Sequence, residues 1–314
     1  MVKKGELSRK AVIILAIANL AVRNFSQVKE RELAHEVTVT AVNIAVTVQD
    51  RAGRYVTDLT PGDFSVFENG AKKEITYFQH SFEAPISLTV LLDVSGSMAL
   101  QDRLREGREA LRLFAGGLLR PRDELSLLLF ADGDVEVAVP FTYDRTPFFE
   151  ALAGAVAYGQ TALNDALAVS PEFANKGRND KRALLLLTDG IENGSLVSAD
   201  RALEIARRVD VPIYVLGYKI PASEQILKKY KRSEALTQAG IIETLSEFSE
   251  ATGGRALFPT TPGDLTIALG SIHRELGHQY TLGYTTNQNP PDEYRNISVV
   301  TSSKRYRVRA RKGY

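Results

Sequence analysis

Asp93, Ser95 and Ser97 alternate along Asp93-Val-Ser95-Gly-Ser97-Met98, so a loop turning at Gly96 aims an acid and two hydroxyls at one point. Three hard oxygen donors converging in this way suit a hard cation such as Mg²⁺. The same residues have a plainer use, because aspartate and serine are also ordinary turn formers. Catalysis fits them less well. Ser95 lacks the Gly-x-Ser-x-Gly elbow that exposes a hydrolase nucleophile, and a phosphoryl-transfer aspartate loop would want a second carboxylate where Ser95 stands. The chain has neither a phosphate loop nor Gly-x-Gly-x-x-Gly, and its histidines, His35, His80, His273 and His278, are scattered. His273 and His278 are five apart, which puts them on different helix faces, unlike a zinc pair four apart.

The loop needs a rigid carrier, and the mostly apolar run Ile86 to Leu92 supplies one: a strand buried on both faces, ending at Asp93. Open α/β folds place their ligands at the carboxyl edge of such strands. Leu104, Leu111, Phe114 and Leu118 then mark a helix face, and Glu124 to Phe130 is a second buried strand. Asp132-Gly133 turns the chain into Val135 to Phe141, an antiparallel partner. Phe148 to Val156 reads as a helix, and Thr161 stands where an N-cap belongs, ahead of a helix over Ala162 to Val169. Arg182 to Leu187 is a third central strand, ending Thr188-Asp189-Gly190. Glu192, just beyond, reads as a surface residue. Helix at Ala199 to Val209, strand at Val211 to Tyr218, helix at Ile241 to Ala251, a short strand at Arg255 to Phe258 and a helix over Pro262 to Leu276 complete the rhythm. Such alternation predicts a mainly parallel, doubly wound α/β sheet.

Both flanks read as β. Before Ile86, Val42, Ile44, Val46 and Val48 share one strand face, Thr60-Pro61-Gly62-Asp63 makes a brief helical turn, and Asn69-Gly70 joins Phe64 to Glu68 with a returning strand at Lys73 to Phe78. After it come strands at Gln279 to Tyr284, Tyr294 to Thr301 and Lys304 to Arg311. Each set is too small for its own core, so the two are expected to combine into one small antiparallel β-sandwich, with the α/β part inserted in it or flanked by it. Arg305, Arg307, Arg309 and Arg311 alternate, as befits an edge strand kept from pairing with its neighbours.

The 314 residues are 44% hydrophobic and 25% charged, ordinary globular values, with a net charge of +1 that gives no pull toward nucleic acid. The absence of cysteine removes disulfides, thiolate metal sites and a cysteine nucleophile. Lys3, Lys4, Arg9 and Lys10 precede an apolar run, Ala11 to Val22, that fits a secretory signal or an uncleaved N-terminal anchor. The expected organisation is signal or anchor over 1–26, linker over 27–36, β over 37–84, α/β over 85–276 and β over 277–314.

Asp93-x-Ser95-x-Ser97, a threonine after Gly159-Gln160, and Thr188-Asp189-Gly190 occur in order, each at a strand or loop edge. This set resembles the von Willebrand factor A domain and its metal-ion-dependent adhesion site, which uses an Asp-x-Ser-x-Ser loop, a distant threonine and a distant aspartate. Val46-Thr-Val-Gln-Asp50, Leu59-Thr-Pro-Gly-Asp-Phe64, Phe67-Glu68-Asn69-Gly70, Tyr280-Thr-Leu-Gly-Tyr284 and Arg309-Ala-Arg-Lys-Gly-Tyr314 look similar to the related family known mainly from acidobacterial-type envelope proteins. The resemblance implies a six-stranded, Rossmann-like sheet with one antiparallel edge strand. It implies Mg²⁺, or Mn²⁺ or Ca²⁺, at Asp93, Ser95, Ser97, Thr161 and Asp189, with hydroxyls binding directly and carboxylates directly or through water. The implied function is a non-catalytic adhesion protein, secreted or held in the periplasm or cell envelope. It would dock a protein ligand that presents an Asp or Glu carboxylate to the metal. A structural envelope component whose metal only stabilises the fold is the alternative, and a metal-dependent hydrolase fits least.

Overall fold

The computed structural model describes residues 39–80, 84–222, 237–287 and 293–314. The expected N-terminal signal or anchor, the linker with His35, and most of the loop after Asn287 lie outside the described residues. Thr40–Thr286 together with Pro290–Tyr314 forms one unit.

β1 (Val39–Gln49) buries Val42, Ile44, Val46 and Val48 on one face, as its alternation requires. A 3₁₀ turn at Pro61–Asp63 follows, with the Asp63 carboxylate accepting the Thr60 N–H at 2.9 Å. β2 (Phe64–Glu68) turns at Asn69-Gly70 into β3 (Ala71–Lys73), and both turn residues have positive φ. The single returning strand expected over Lys73 to Phe78 is two. β3 pairs with β2, whereas β4 (Tyr77–His80) leaves for another sheet.

β5 (Ile86–Asp93) is buried at every position. After it come a 3₁₀ segment at Gly96–Asp102, α1 (Arg103–Gly117), β6 (Glu124–Ala131), β7 (Asp134–Thr142), α2 (Thr146–Gly154) and α3 (Leu163–Ala174). β8 (Lys181–Thr188), α4 (Ala199–Ala206), β9 (Ile213–Gly217), α5 (Gln238–Thr252), β10 (Ala256–Leu257) and α6 (Pro262–Gly277) follow. The six strands lie in the order β10-β9-β8-β5-β6-β7, all parallel except β7, which runs against β6. Ile86, Leu88, Val90 and Leu92 pack against Leu111 and Phe114 of α1, Phe148 of α2 and Leu269 of α6. Leu91, Leu184 and Leu186 pack on the opposite face against Leu167 of α3, Ala202 of α4 and Phe248 of α5. Helices on both faces make the sheet doubly wound, as the strand-helix rhythm predicts. Leu118, expected on the buried face of α1, lies just past its end and is 41% exposed. The chain leaves β5 toward β6 and returns to β5's other side with β8, so the strand order reverses between β5 and β8. Crevices at such reversals are where open sheets bind ligands.

The tail forms β11 (Tyr280–Asn287), β12 (Ile297–Thr301) and β13 (Arg307–Arg309). Its strands interleave with those ahead of β5: one sheet runs β13-β1-β11-β4 and another β12-β2-β3. They share a core of Ile44, Val46, Val48, Phe64, Val66, Leu282 and Tyr284. Inside it, the Glu68 carboxylate accepts hydroxyls of Thr286 at 2.7 Å, Tyr284 at 2.8 Å and Tyr314 at 2.9 Å, and Arg295 at 3.0 Å. β13 is an edge strand, but only part of the arginine row faces solvent. Arg309 pairs with Glu275 of α6, and Arg311 with Asp210 at 3.0 Å. Among the described residues, no helix is long and apolar enough to cross a membrane.

Candidate metal centre

Asp93 ends β5 with its side chain wholly buried. Its Oδ1 accepts the Ser95 N–H at 2.8 Å, and its Oδ2 accepts the Thr188 hydroxyl at 2.5 Å. The first bond curls the chain so that the buried Ser95 and Ser97 hydroxyls stand 3.1 Å apart. Gly96 lies between them because a second loop passes close by. Its N–H donates to the Gly159 carbonyl at 3.0 Å, and a Cβ at Gly96 would stand 3.1 Å from that same oxygen.

The second loop is tied to β5 where Tyr158 donates to the Val94 carbonyl at 2.8 Å. Gly159 has φ of +65°, and a Cβ there would fall 2.2 Å from the Asp132 carboxylate, which accepts the Gln160 N–H at 2.6 Å. Thr161, 1% exposed, is held from the other side. Its N–H donates to the Asn193 side chain at 2.8 Å, and its carbonyl accepts the N–H groups of Asn193 and Gly194. The third loop begins at Asp189, wholly buried, whose Oδ1 accepts the Ile191 N–H at 3.1 Å. The three loops are therefore fastened pairwise: Gly96 to Gly159, Thr161 to Asn193, and Thr188 to Asp93.

Thr161 is not the N-cap its position suggests. α3 starts at Leu163, and its first N–H groups are capped from the third loop. The Ser195 hydroxyl accepts from Asn164 at 3.0 Å and Asp165 at 3.2 Å, and the Glu192 carboxylate accepts from Asn164 at 3.1 Å. Glu192 also accepts the N–H groups of Gly194 and Ser195 and the Ser195 hydroxyl. It is a fastening inside the loop, not the plain surface residue its polarity suggests.

Arg103 lies outside the motifs of the three loops. It is 0% exposed, and its Nη1 reaches Asp189 Oδ2 at 3.0 Å and the Ser97 carbonyl at 3.1 Å. Its Nε and Nη2 donate to the Lys219 carbonyl at 3.2 and 3.0 Å. One clue was available. Arg103 opens α1, where the helix dipole disfavours a cation, so a specific partner is needed to hold it there.

Burial, with the charge of Asp189 adding to it, pushes the Asp93 carboxyl well above the usual carboxylate range. Burial raises Asp189 as well, against the lowering effect of Arg103. Two carboxylates are thus buried at one site while Arg103 bonds Asp189 and not Asp93, an arrangement that an added cation would relieve. Among the described residues there is no group of three or more His, Cys, Asp and Glu suited to a metal. This site instead offers two acids and three neutral hydroxyls, a donor set that fits a hard cation keeping several waters.

The family model for the von Willebrand factor type A domain matches residues 88–192, which contain all five of these donors. An uncharacterized protein of Borreliella burgdorferi is 29% identical over 54% of this chain and 53% of its own. The magnesium-chelatase 60 kDa subunit of Cereibacter sphaeroides is 33% identical over 43% of this chain and 25% of its own. The alignments thus span about half of the first relative and a quarter of the second. A solved von Willebrand factor type A structure from Catenulispora acidiphila superposes with a TM-score of 0.50, covering 80% of this chain and 71% of that one at 14% identity. Residues 88–192 of this chain thus match the von Willebrand factor type A domain, and the α/β part around them has that domain's fold.

Proposed function

We propose that the protein is an exported, non-catalytic binding protein that docks a protein partner through a divalent cation, Mg²⁺ or its substitutes Mn²⁺ and Ca²⁺. The observation that carries this reading is the meeting of Asp93, Ser95, Ser97, Thr161 and Asp189 on three mutually fastened loops, where the strand order reverses. Ser95, Ser97 and Thr161 would offer hydroxyl oxygens, and Asp93 and Asp189 would orient them and balance charge. A cation held mainly by neutral oxygens supplies an electrophilic point that a partner's Asp or Glu carboxylate can complete. The described histidines support a non-catalytic role: His80 stacks on Tyr280, His278 on Tyr55, and His273 lies edge-on to Phe114. Export rests on the basic start and the apolar run from Ala11 to Val22.

One observation favours a second reading. All five side chains are at most 2% exposed, as suits a cation that only ties the loops together within an envelope component. Capture from envelope extract on the immobilised chain, with Mg²⁺ or with chelator, separates the two. Docking predicts bands that vanish with chelator and with Ser97→Ala. Capture indifferent to both would sink it, and Mg²⁺ stabilisation without metal-dependent capture would leave the structural reading.

A further inference from the structure

We infer that Arg103 is a positioning residue that sets the charge of the metal centre so that a loaded site attracts a carboxylate. The inference rests on the docking reading above and specifies what makes the docking point anion-selective.

Charge is the basis. Asp93 and Asp189 are buried together, and Arg103 is the cation buried with them, bonded to Asp189 at 3.0 Å. Guanidinium keeps its charge even when desolvated. With both acids ionised against a bound divalent cation, Arg103 leaves the loaded centre with one positive charge. An arriving carboxylate brings the loaded centre to neutrality. With a neutral residue at position 103, the loaded centre would already be neutral, and a carboxylate would leave it negative.

Neighbouring charges do not cancel this effect. Lys219 Nζ and Glu106 pair with each other at 2.5 Å, and Asp132 lies at the exposed rim, where water screens it. Geometry reinforces the charge. Arg103 occupies Asp189 Oδ2 while Ile191 occupies Oδ1, so both oxygens of this acid already have protein donors. The same guanidinium holds the Ser97 carbonyl and the Lys219 carbonyl, so it sets the loop and the charge together.

The test uses the full chain, Mn²⁺ as the metal and acetate as the carboxylate probe. Mn²⁺ affinity is read by calorimetry, and acetate binding to the loaded protein by Mn²⁺ paramagnetic resonance. Arg103→Gln is expected to hold Mn²⁺ as tightly as the parent or more so, while acetate binding weakens roughly tenfold or more. Arg103→Lys, which keeps the charge, restores acetate binding. Asp189→Asn shifts the balance the other way: weaker Mn²⁺ and tighter acetate. A merely structural arginine would move both affinities together or neither.

Unchanged acetate binding in Arg103→Gln overturns the inference while leaving the metal site standing. Should that variant not fold, unchanged or weaker acetate binding in Asp189→Asn overturns it equally. If the parent chain takes no Mn²⁺, the docking reading itself fails and this inference falls with it.

Discussion

The Thr188 hydroxyl donates to Oδ2 of Asp93 at 2.5 Å, joining the ends of two adjacent parallel strands at the point where the metal loops begin. The same oxygen of Thr188 accepts the Gly190 N–H at 2.9 Å, so one hydroxyl aligns both acid-bearing loops. Thr188→Val keeps the shape and removes both bonds. It leaves a buried carboxylate oxygen short of a donor, and the expected loss is about 1–3 kcal/mol in urea denaturation, with weaker Mg²⁺ binding. A midpoint equal to the parent's would show that the bond does not hold the strand ends.

Mg²⁺ at about a hundredfold above its dissociation constant should add ~2.7 kcal/mol and raise the melting temperature by roughly 5–10 °C. Ser95→Ala and Ser97→Ala should each shrink that rise, and Asp93→Ala combined with Asp189→Ala should abolish it. Differential scanning fluorimetry with and without chelator reads all four proteins. An undiminished rise in the double variant would place the cation elsewhere.

Gly159 adopts φ of +65° with the Asp132 carboxylate where a Cβ would go. Gly159→Ala is therefore expected to cost more than about 1 kcal/mol and to spoil the register between Gly96 and Thr161. Asp132→Ala removes the obstacle but not the backbone strain, so the double variant should recover only part of the loss. Full recovery would mean that the positive φ is not needed.

Acid should attack the β part through Glu68. Burial acts to raise this carboxyl, but hydrogen bonds led by Thr286 and Tyr284 overcome it and hold it at about 2, below the ordinary 4.5. A group depressed in the folded state contributes stability above its unfolded value and loses it as pH falls through its folded one. The loss belongs between about pH 4.5 and pH 2. Urea midpoints across that window should fall more steeply for the parent than for Glu68→Gln. Parallel curves would remove Glu68 from the account.

The central sheet was legible from the chain because a strand buried on both faces writes itself as a local apolar run, and Ile86 to Leu92 and Arg182 to Leu187 are such runs. Asp93, Ser95 and Ser97 were legible for the same reason, since one loop holds all three. The strand over Lys73 to Phe78 was misread because nothing local says that β3 stays with β2 while β4 crosses to β11. Partner choice between strands depends on which core each face completes.

Sequence alone determined the alternation of strands and helices, the turn at Asn69-Gly70 and the oxygen-bearing loops, all set by neighbours within a few residues. Tertiary structure alone decided that strands from both ends of the chain interleave, that Glu192 and Ser195 displace Thr161 as the cap of α3, and that Arg103 lies buried against Asp189, 86 residues away. The physical reason is desolvation. A charge or an N–H group must find its partner once water is excluded, and only the folded packing settles which group lies near enough to serve.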